Sequence, residues 1–193
     1  MDNGAWVLAA AVLCASEPTF AAQPANLLPN GDFSAANQIN GWTTFPYGIW
    51  SADDAGGSSS SGSIQLTGDP TESGVSAQST CFAVSPGAAY SEGLQSKVFK
   101  GSISGAYGAA LVCTTYTDAN CSKNYFDLSR KPQPSYATYW TAWQTASGTL
   151  PGNARSAHCT LYLNLIGTMR FDNVFFNSIA PTAPVSLESF EVD

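Results

Sequence analysis

The chain has 193 residues, enough for one sizeable domain, and 44% of them are hydrophobic, so a packed core is attainable and global disorder is excluded. Charged residues make up only 11%, with 14 acids against 7 bases and a net charge of −7. Gly, Ser, Thr and Asn carry the polar share instead, and no basic stripe exists for nucleic acid or an anionic membrane to grip.

The chain opens on an apolar run, Ala5–Ala15, of export-signal length and too short to span a bilayer as a helix. Small residues follow. Residues 1–21 read as a signal peptide, with cleavage after Ala21, after Ala22 or earlier after Ser16. Asp2 stands where a Lys or Arg is usual, and a buried N-terminal helix is the alternative reading. The mature domain then covers residues 22–179 and is expected outside the cell or in a periplasm.

Within that domain, β-rich runs recur between clusters of Gly, Pro, Asn and Asp. The predicted strands are Ser63–Thr67, Val75–Val84, Tyr90–Phe99, Ala106–Tyr116, Tyr136–Thr149, His158–Ile166 and Met169–Asn177. No sustained helical period competes with them. The fold class is all-β, an antiparallel β-sandwich or jelly roll. The clearest strand is Cys159–Leu165, where Cys159, Leu161, Leu163 and Leu165 form the buried face and Thr160, Tyr162 and Asn164 look outward. Beyond the sandwich, residues 180–193 read as a Pro-containing spacer followed by a tail or an edge strand.

Of the five cysteines, Cys14 lies in the presumed signal, leaving Cys81, Cys113, Cys121 and Cys159 for two disulfides. Spacing favours Cys113–Cys121 as a local clip and Cys81–Cys159 as the long-range link. Zinc is disfavoured: there is no Cys-x-x-Cys, and the single histidine, His158, alternates away from Cys159.

Several segments carry a family resemblance. They are Asn26-Leu27-Leu28-Pro29-Asn30-Gly31-Asp32-Phe33 followed by Gly41-Trp42, then Val84-Ser85-Pro86-Gly87-Ala88-Ala89-Tyr90, Gly148-Thr149-Leu150-Pro151 and Phe171-Asp172-Asn173-Val174. In this order and spacing the chain resembles the family 4 and family 9 carbohydrate-binding modules. The resemblance implies a galactose-binding-like jelly roll, a non-catalytic role and a structural calcium ion. It places the calcium on Asp32 and Asp172, with Asn30, Ser34 and backbone carbonyls as helpers. Ser34 and Asn173 replace two of the family's acids, and calcium wants six to eight oxygens, several of them carboxylate.

Neutral sugars present hydroxyls and flat C–H faces, which aromatic rings and a few amides or carboxylates meet without ionic pairing. Five Trp and eight Tyr supply candidates. Trp42 reads as core. Tyr47 and Trp50, in a loop-like stretch with Pro46 and Gly48, are the favoured platform, and Tyr125 with Phe126 could line the same rim. Alternation puts Tyr139 and Trp143 on one face and Trp140 on the other. Asn164, Gln144 and Gln95 are polar candidates on strands.

The expected ligand is a neutral polysaccharide bound by a monomer. A glycosidase needs two placed carboxylates, but the available acids sit in turn-like sequence, Glu92 excepted, and His158 has no nucleophile motif beside it. The alternative function is a protein-interaction or envelope module without a sugar ligand.

Overall fold

The computed structural model describes residues 25–68, 74–128 and 131–179. The segments expected to be a signal peptide (1–21) and a spacer and tail (180–193) lie outside the described residues. Among these residues there is no helix, and nine strands form: β1 (Trp42–Phe45), β2 (Gly48–Ser51), β3 (Ser63–Gly68), β4 (Val75–Ser79), β5 (Phe82–Ala83), β6 (Ala89–Tyr116), β7 (Phe126–Asp127), β8 (Gln144–Thr149) and β9 (Ser156–Ile179). All pairings are antiparallel.

Two long strands organise the sandwich. The first part of β9 pairs with β4 on one side and with the end of β6 on the other, giving a layer ordered β1-β4-β9-β6-β7. The later part of β9 pairs with β3 and with the start of β6, giving a second layer ordered β2-β3-β9-β6-β8. β6 and β9 therefore run through both sheets. The turn from one layer to the next coincides with register shifts in β6 between Val98 and Gly108, and with Gly108 (φ 70°) and Gly167 (φ 133°), conformations that a side chain would strain. This continuity is why sequence alone gave two strands each for what are single strands, 89–116 and 156–179.

Alternation fills the space between the layers. Ala157, Cys159, Leu161 and Leu163 of β9, Ala109, Leu111 and Cys113 of β6, and Val75 and Ala77 of β4 point inward from the first sheet. Ile64, Leu66, Leu94, Met169 and Phe171 come from the second, and all belong to one buried cluster. Trp42 is buried, as its sequence context suggests, against Phe33, and its indole Nε1 donates to the Pro29 carbonyl. The segment before β1 is stitched onto β9: Leu27 N donates to Phe176 O, Val174 N to Gly31 O, and the Asn26 side chain bonds Val174 O and Phe176 N. Gly31 lies so close to Val174 that an added Cβ would stand 1.9 Å from that carbonyl oxygen. A buried backbone crossing here, not turn flexibility, requires this glycine.

The disulfides correct the expected pairing. They are Cys113–Cys159 and Cys81–Cys121. Cys113 and Cys159 are direct cross-strand partners in the β6–β9 ladder, with Cα atoms 4.0 Å apart, so strand register selects the bond. Cys113 points into the core, whereas the loop after β6 carries Cys121 toward the exposed Cys81 before β5. Short sequence spacing therefore misled.

Two further expectations are corrected. Residues 45–50 are not one loop: β1 ends at Phe45, a short turn at Pro46 and Tyr47 follows a cis Phe45–Pro46 bond, and β2 then pairs with β3, Trp50 opposite Ile64. Of the predicted strand Tyr136–Thr149, only Gln144–Thr149 is regular. The part before it follows the β6 edge irregularly, with Val98 N donating to Ala137 O and Thr141 N to Ser96 O. Alternation predicts that one of Trp140 and Trp143 is core, but Trp143 is exposed along with Tyr139 and Trp140 is half-buried, so neither tryptophan is core.

Candidate functional site

The outward face of the first sheet gathers the side chains that a sugar site requires. Strand register arranges them in three rows. One row runs Phe45–Ser76–Tyr162–Ala110, the next Thr43–Gln78–Thr160–Val112, and the third His158–Thr114–Asp127. With strands about 4.8 Å apart and outward residues roughly 7 Å apart along each strand, the rows cover about 19 by 14 Å. Ala110 and Val112 keep the floor low between taller side chains.

Hydrogen bonds hold the polar members in place. Gln78 Nε2 lies 2.9 Å from His158 Nε2 and 3.4 Å from Thr160 Oγ1. The Thr114 hydroxyl donates to Asp127 Oδ1 at 2.7 Å, and Lys131 approaches Asp127 Oδ2 at 3.8 Å. The Tyr116 ring packs at a tilt on His158, centroids 5.2 Å apart. Burial lowers the His158 pKa from its ordinary value, against a smaller raising effect from Asp127, and burial raises that of Tyr116. Phe45, 71% exposed, and the more covered Tyr162 offer ring faces on one side. Tyr125, 70% exposed, stands in the loop leading into β7 at the opposite edge.

The candidates named from sequence scatter. Asn164 continues the outward row of β9 past Tyr162, opposite Gly108, and Tyr47 is exposed in the turn next to Phe45. With Tyr125, these three border the face. Tyr139 and Trp143 do not. Trp143, 52% exposed, meets Phe175 edge-on over Gly93 on the outside of the second sheet. Of the other polar candidates, Gln95 and Gln144 are tied to the Thr141 region, away from this face.

Trp50 is a correction. It packs against the core, and its Nε1 donates to Phe33 O at 2.9 Å. We expect Trp50→Ala to cost about 3 kcal/mol in denaturant melts, with the affinity of the folded protein for glycans unchanged.

Sequence reasoning missed Phe45, Gln78, His158 and Asp127 as neighbours. The available signal was the outward set of the β9 strand, Thr160, Tyr162 and Asn164, which names the face once the partners of that strand are known.

Asp172 sits elsewhere, fully buried in the second layer, opposite Gln95 and beside the irregularity where the β6–β9 register shifts between Gly93 and Gln95. Its Oδ2 accepts from Ala55 N and its Oδ1 from Asn173 N. Burial, with smaller contributions from Asp54 and Asp32, pushes its pKa up to about 7. A buried carboxylate with two further acids in its surroundings is donor chemistry suited to a hard cation, which would share its oxygens with the Ala55 and Asn173 N–H groups. Among the described residues no three of these acids converge within 4.8 Å, so backbone carbonyls and water would complete the shell. The group that does converge, Glu92 with Cys113 and Cys159, has both its sulfurs in a disulfide and is no metal site.

No family model and no curated protein matches the sequence. Solved structures do resemble the fold. The enzymatically active domain of bacteriophage CBA120 tailspike protein 4 aligns at 14% identity and a TM-score of 0.59, over 80% of this chain and 21% of that one. The CBM22-1–GH10 modules of Clostridium thermocellum xylanase 10B, complexed with xylohexaose, align at 14% identity and 0.53, over 78% of this chain and 28% of that one. The CBM22-1 xylan-binding domain of Paenibacillus barcinonensis Xyn10C is 15% identical and scores 0.47, over 84% of this chain and all of that one. The chain thus spans only a small part of the first two proteins. At these identities the likeness is one of fold, and in fold the chain is similar to carbohydrate-binding modules: an all-β, antiparallel jelly-roll sandwich.

Proposed function

We propose that this is a secreted, non-catalytic domain that binds neutral glycans, as a monomer, on the outward face of the β1-β4-β9-β6-β7 sheet. The observation that carries this reading is the three-row arrangement of exposed rings beside hydroxyl, amide and imidazole groups. No Lys or Arg stands in those rows and Asp127 is their single carboxylate, so the surface suits an uncharged polyol and lacks the paired acids of a glycosidase. The carbohydrate-binding modules that share the fold support the same reading, and two disulfides agree with an oxidising compartment. A few stacking contacts give only micromolar-to-millimolar affinity, which attachment to a longer chain or a repeated ligand would strengthen.

The test is a binding screen of the oxidised protein against xylan, cellulose and galactan. Tyr162→Ala is expected to weaken retention on the polysaccharide bound by roughly tenfold, with Trp143→Ala neutral. Loss in Trp143→Ala instead moves the site to the second sheet. No retention on any of them turns the reading to a protein-interaction module.

We further propose calcium at the Asp172 site, with Asp32 and Asp54 nearby as the additional charges. Millimolar calcium is expected to raise the melting temperature at pH 8 by a few degrees, on the order of 1 kcal/mol. Below pH 7, proton uptake by Asp172 competes and the gain shrinks. An identical melting temperature in calcium and in chelator at pH 8 removes the ion from the account.

A further inference from the structure

His158 lies on the central strand of the proposed glycan face, in its third row next to Gln78, and is the chain's single histidine. The groups around it define a hydrogen-bond problem with two solutions. From β4, the Gln78 amide approaches the ring with Nε2 2.9 Å from His158 Nε2 and 3.4 Å from Thr160 Oγ1. An amide nitrogen carries two N–H donors and no lone pair to offer. The contact is therefore satisfied when the ring is neutral, with its proton on Nδ1 and Nε2 accepting. Gln78 then spends both donors on His158 and Thr160, and its carbonyl oxygen is left to a ligand. From β6, Tyr116 packs on the ring and Thr114 stands opposite in register. From β7, Asp127 supplies the one charge that acts on the imidazole, itself tied to Thr114 and approached by Lys131. On β9 the outward neighbour is Thr160, followed by Tyr162.

We propose that protonation of His158 reverses the Gln78 amide and thereby lowers the affinity of this face for glycans in acid. A protonated ring presents an N–H at Nε2, and two donors facing each other repel. Rotating the amide by half a turn gives its oxygen to His158 and its nitrogen to the solvent side, and the Thr160 contact inverts, its hydroxyl now donating to that oxygen. The centre of the face changes from acceptor to donor. A neutral sugar laid across it also strips water from an imidazolium, which disfavours the charged ring in the complex. Ligand and proton therefore oppose each other, and by linkage bound glycan lowers the proton affinity of His158. The imidazole is already held below its ordinary range by burial, which places the change on the acidic side of neutrality.

The binding half of this inference rests on the glycan reading, whereas the amide reversal does not, and the experiment separates them. An NMR titration of the oxidised domain from pH 7.5 to 4.5 follows the His158 ring and the Gln78 side-chain amide. Affinities for xylohexaose and β-1,4-galactotriose are measured at both ends. We expect the Gln78 amide signals to move on the same one-proton curve as His158, and affinity to fall roughly three- to tenfold, the size of one altered hydrogen bond. His158→Gln, which cannot take up the proton, is expected to bind equally at both pH values. A Gln78 amide indifferent to His158, a wild-type affinity independent of pH, or the same pH dependence in His158→Gln each overturns the proposal. If neither oligosaccharide binds at any pH, the glycan reading falls, while the NMR curves still decide the amide reversal.

Discussion

Between pH 5 and pH 9 the oxidised domain is expected to lose on the order of 5 kcal/mol of stability, and Glu92→Gln to remove most of that loss. Glu92 lies on β6 opposite Ala146 and Phe176 and is 0% exposed. Neither of its carboxyl oxygens has a hydrogen-bond partner, and it reaches within 4.8 Å of the Cys113 and Cys159 sulfurs. Burial pushes its pKa from 4.5 up to about 8, with Lys131 opposing weakly. The folded state thus holds a proton that the unfolded chain releases near 4.5. Stability is fully present below that value, declines as pH rises and is lost through about 8, because ionising the carboxyl in place leaves a charge without solvent or partner. Asp172 adds a decline of the same sign, but only up to about 7, so the interval from 7 to 9 isolates Glu92. Urea melts at pH 5, 7 and 9 make the measurement. Equal midpoints for the wild type at pH 5 and 9 would sink the idea. A residual slope confined below 7 in Glu92→Gln would be the signature of Asp172.

The second large effect is expected from the central disulfide. Cys113–Cys159 closes a loop of 46 residues, which corresponds to about 4 kcal/mol in the chain-entropy model. Its sulfurs are fully buried, so the double replacement Cys113→Ala and Cys159→Ala also opens a cavity and is expected to exceed that figure. Cys81–Cys121, spanning 40 residues, has a similar entropic value, but its ends lie in loops and one of them is exposed. Mild reductant should therefore open Cys81–Cys121 first and leave the core bond intact, as peptide mapping by mass spectrometry would show. Recovery of a Cys113–Cys121 peptide from the native protein would contradict the pairing.

What the sequence reveals here depends on range. The alternation of Cys159, Leu161 and Leu163 against Thr160 and Tyr162 is local, and it identifies both the strand and its two faces. The all-β class follows from similar short-range signals, whereas the buried Trp42 follows from its place in the Gly41-Trp42 pair of the family resemblance. The disulfide pairing does not, because it is decided by which residue of β6 meets Cys159 across a ladder dozens of residues away in sequence. Trp50 shows the same limit in a single residue. Beside Pro46 and Gly48 it resembles a loop aromatic, yet pairing with Ile64 turns it inward to bond Phe33 O. The face suffers most: Gln78, His158 and Asp127 come from three strands, and register alone makes them neighbours. The interruption of β6 and β9 by Gly108 and Gly167 hid their continuity, because a strand that changes layers loses its simple period at the bend.

The two cross-links together set how this domain bears a mechanical load. A force drawn through its ends first meets the backbone bonds between Leu27 and Phe176 and between Gly31 and Val174. That antiparallel seam opens one bond at a time, an unzipping geometry that yields at low force. Further on, tension reaching Cys81 passes across its bond to Cys121, back along the chain to Cys113, and across the second bond to Cys159. The segments between Cys81 and Cys113 and between Cys121 and Cys159 are bypassed and carry none of it. Most of β6, β7, β8 and the imidazole of His158 lie in that sheltered part. A domain hauled along by a surface that it grips would give at its ends and keep its centre folded.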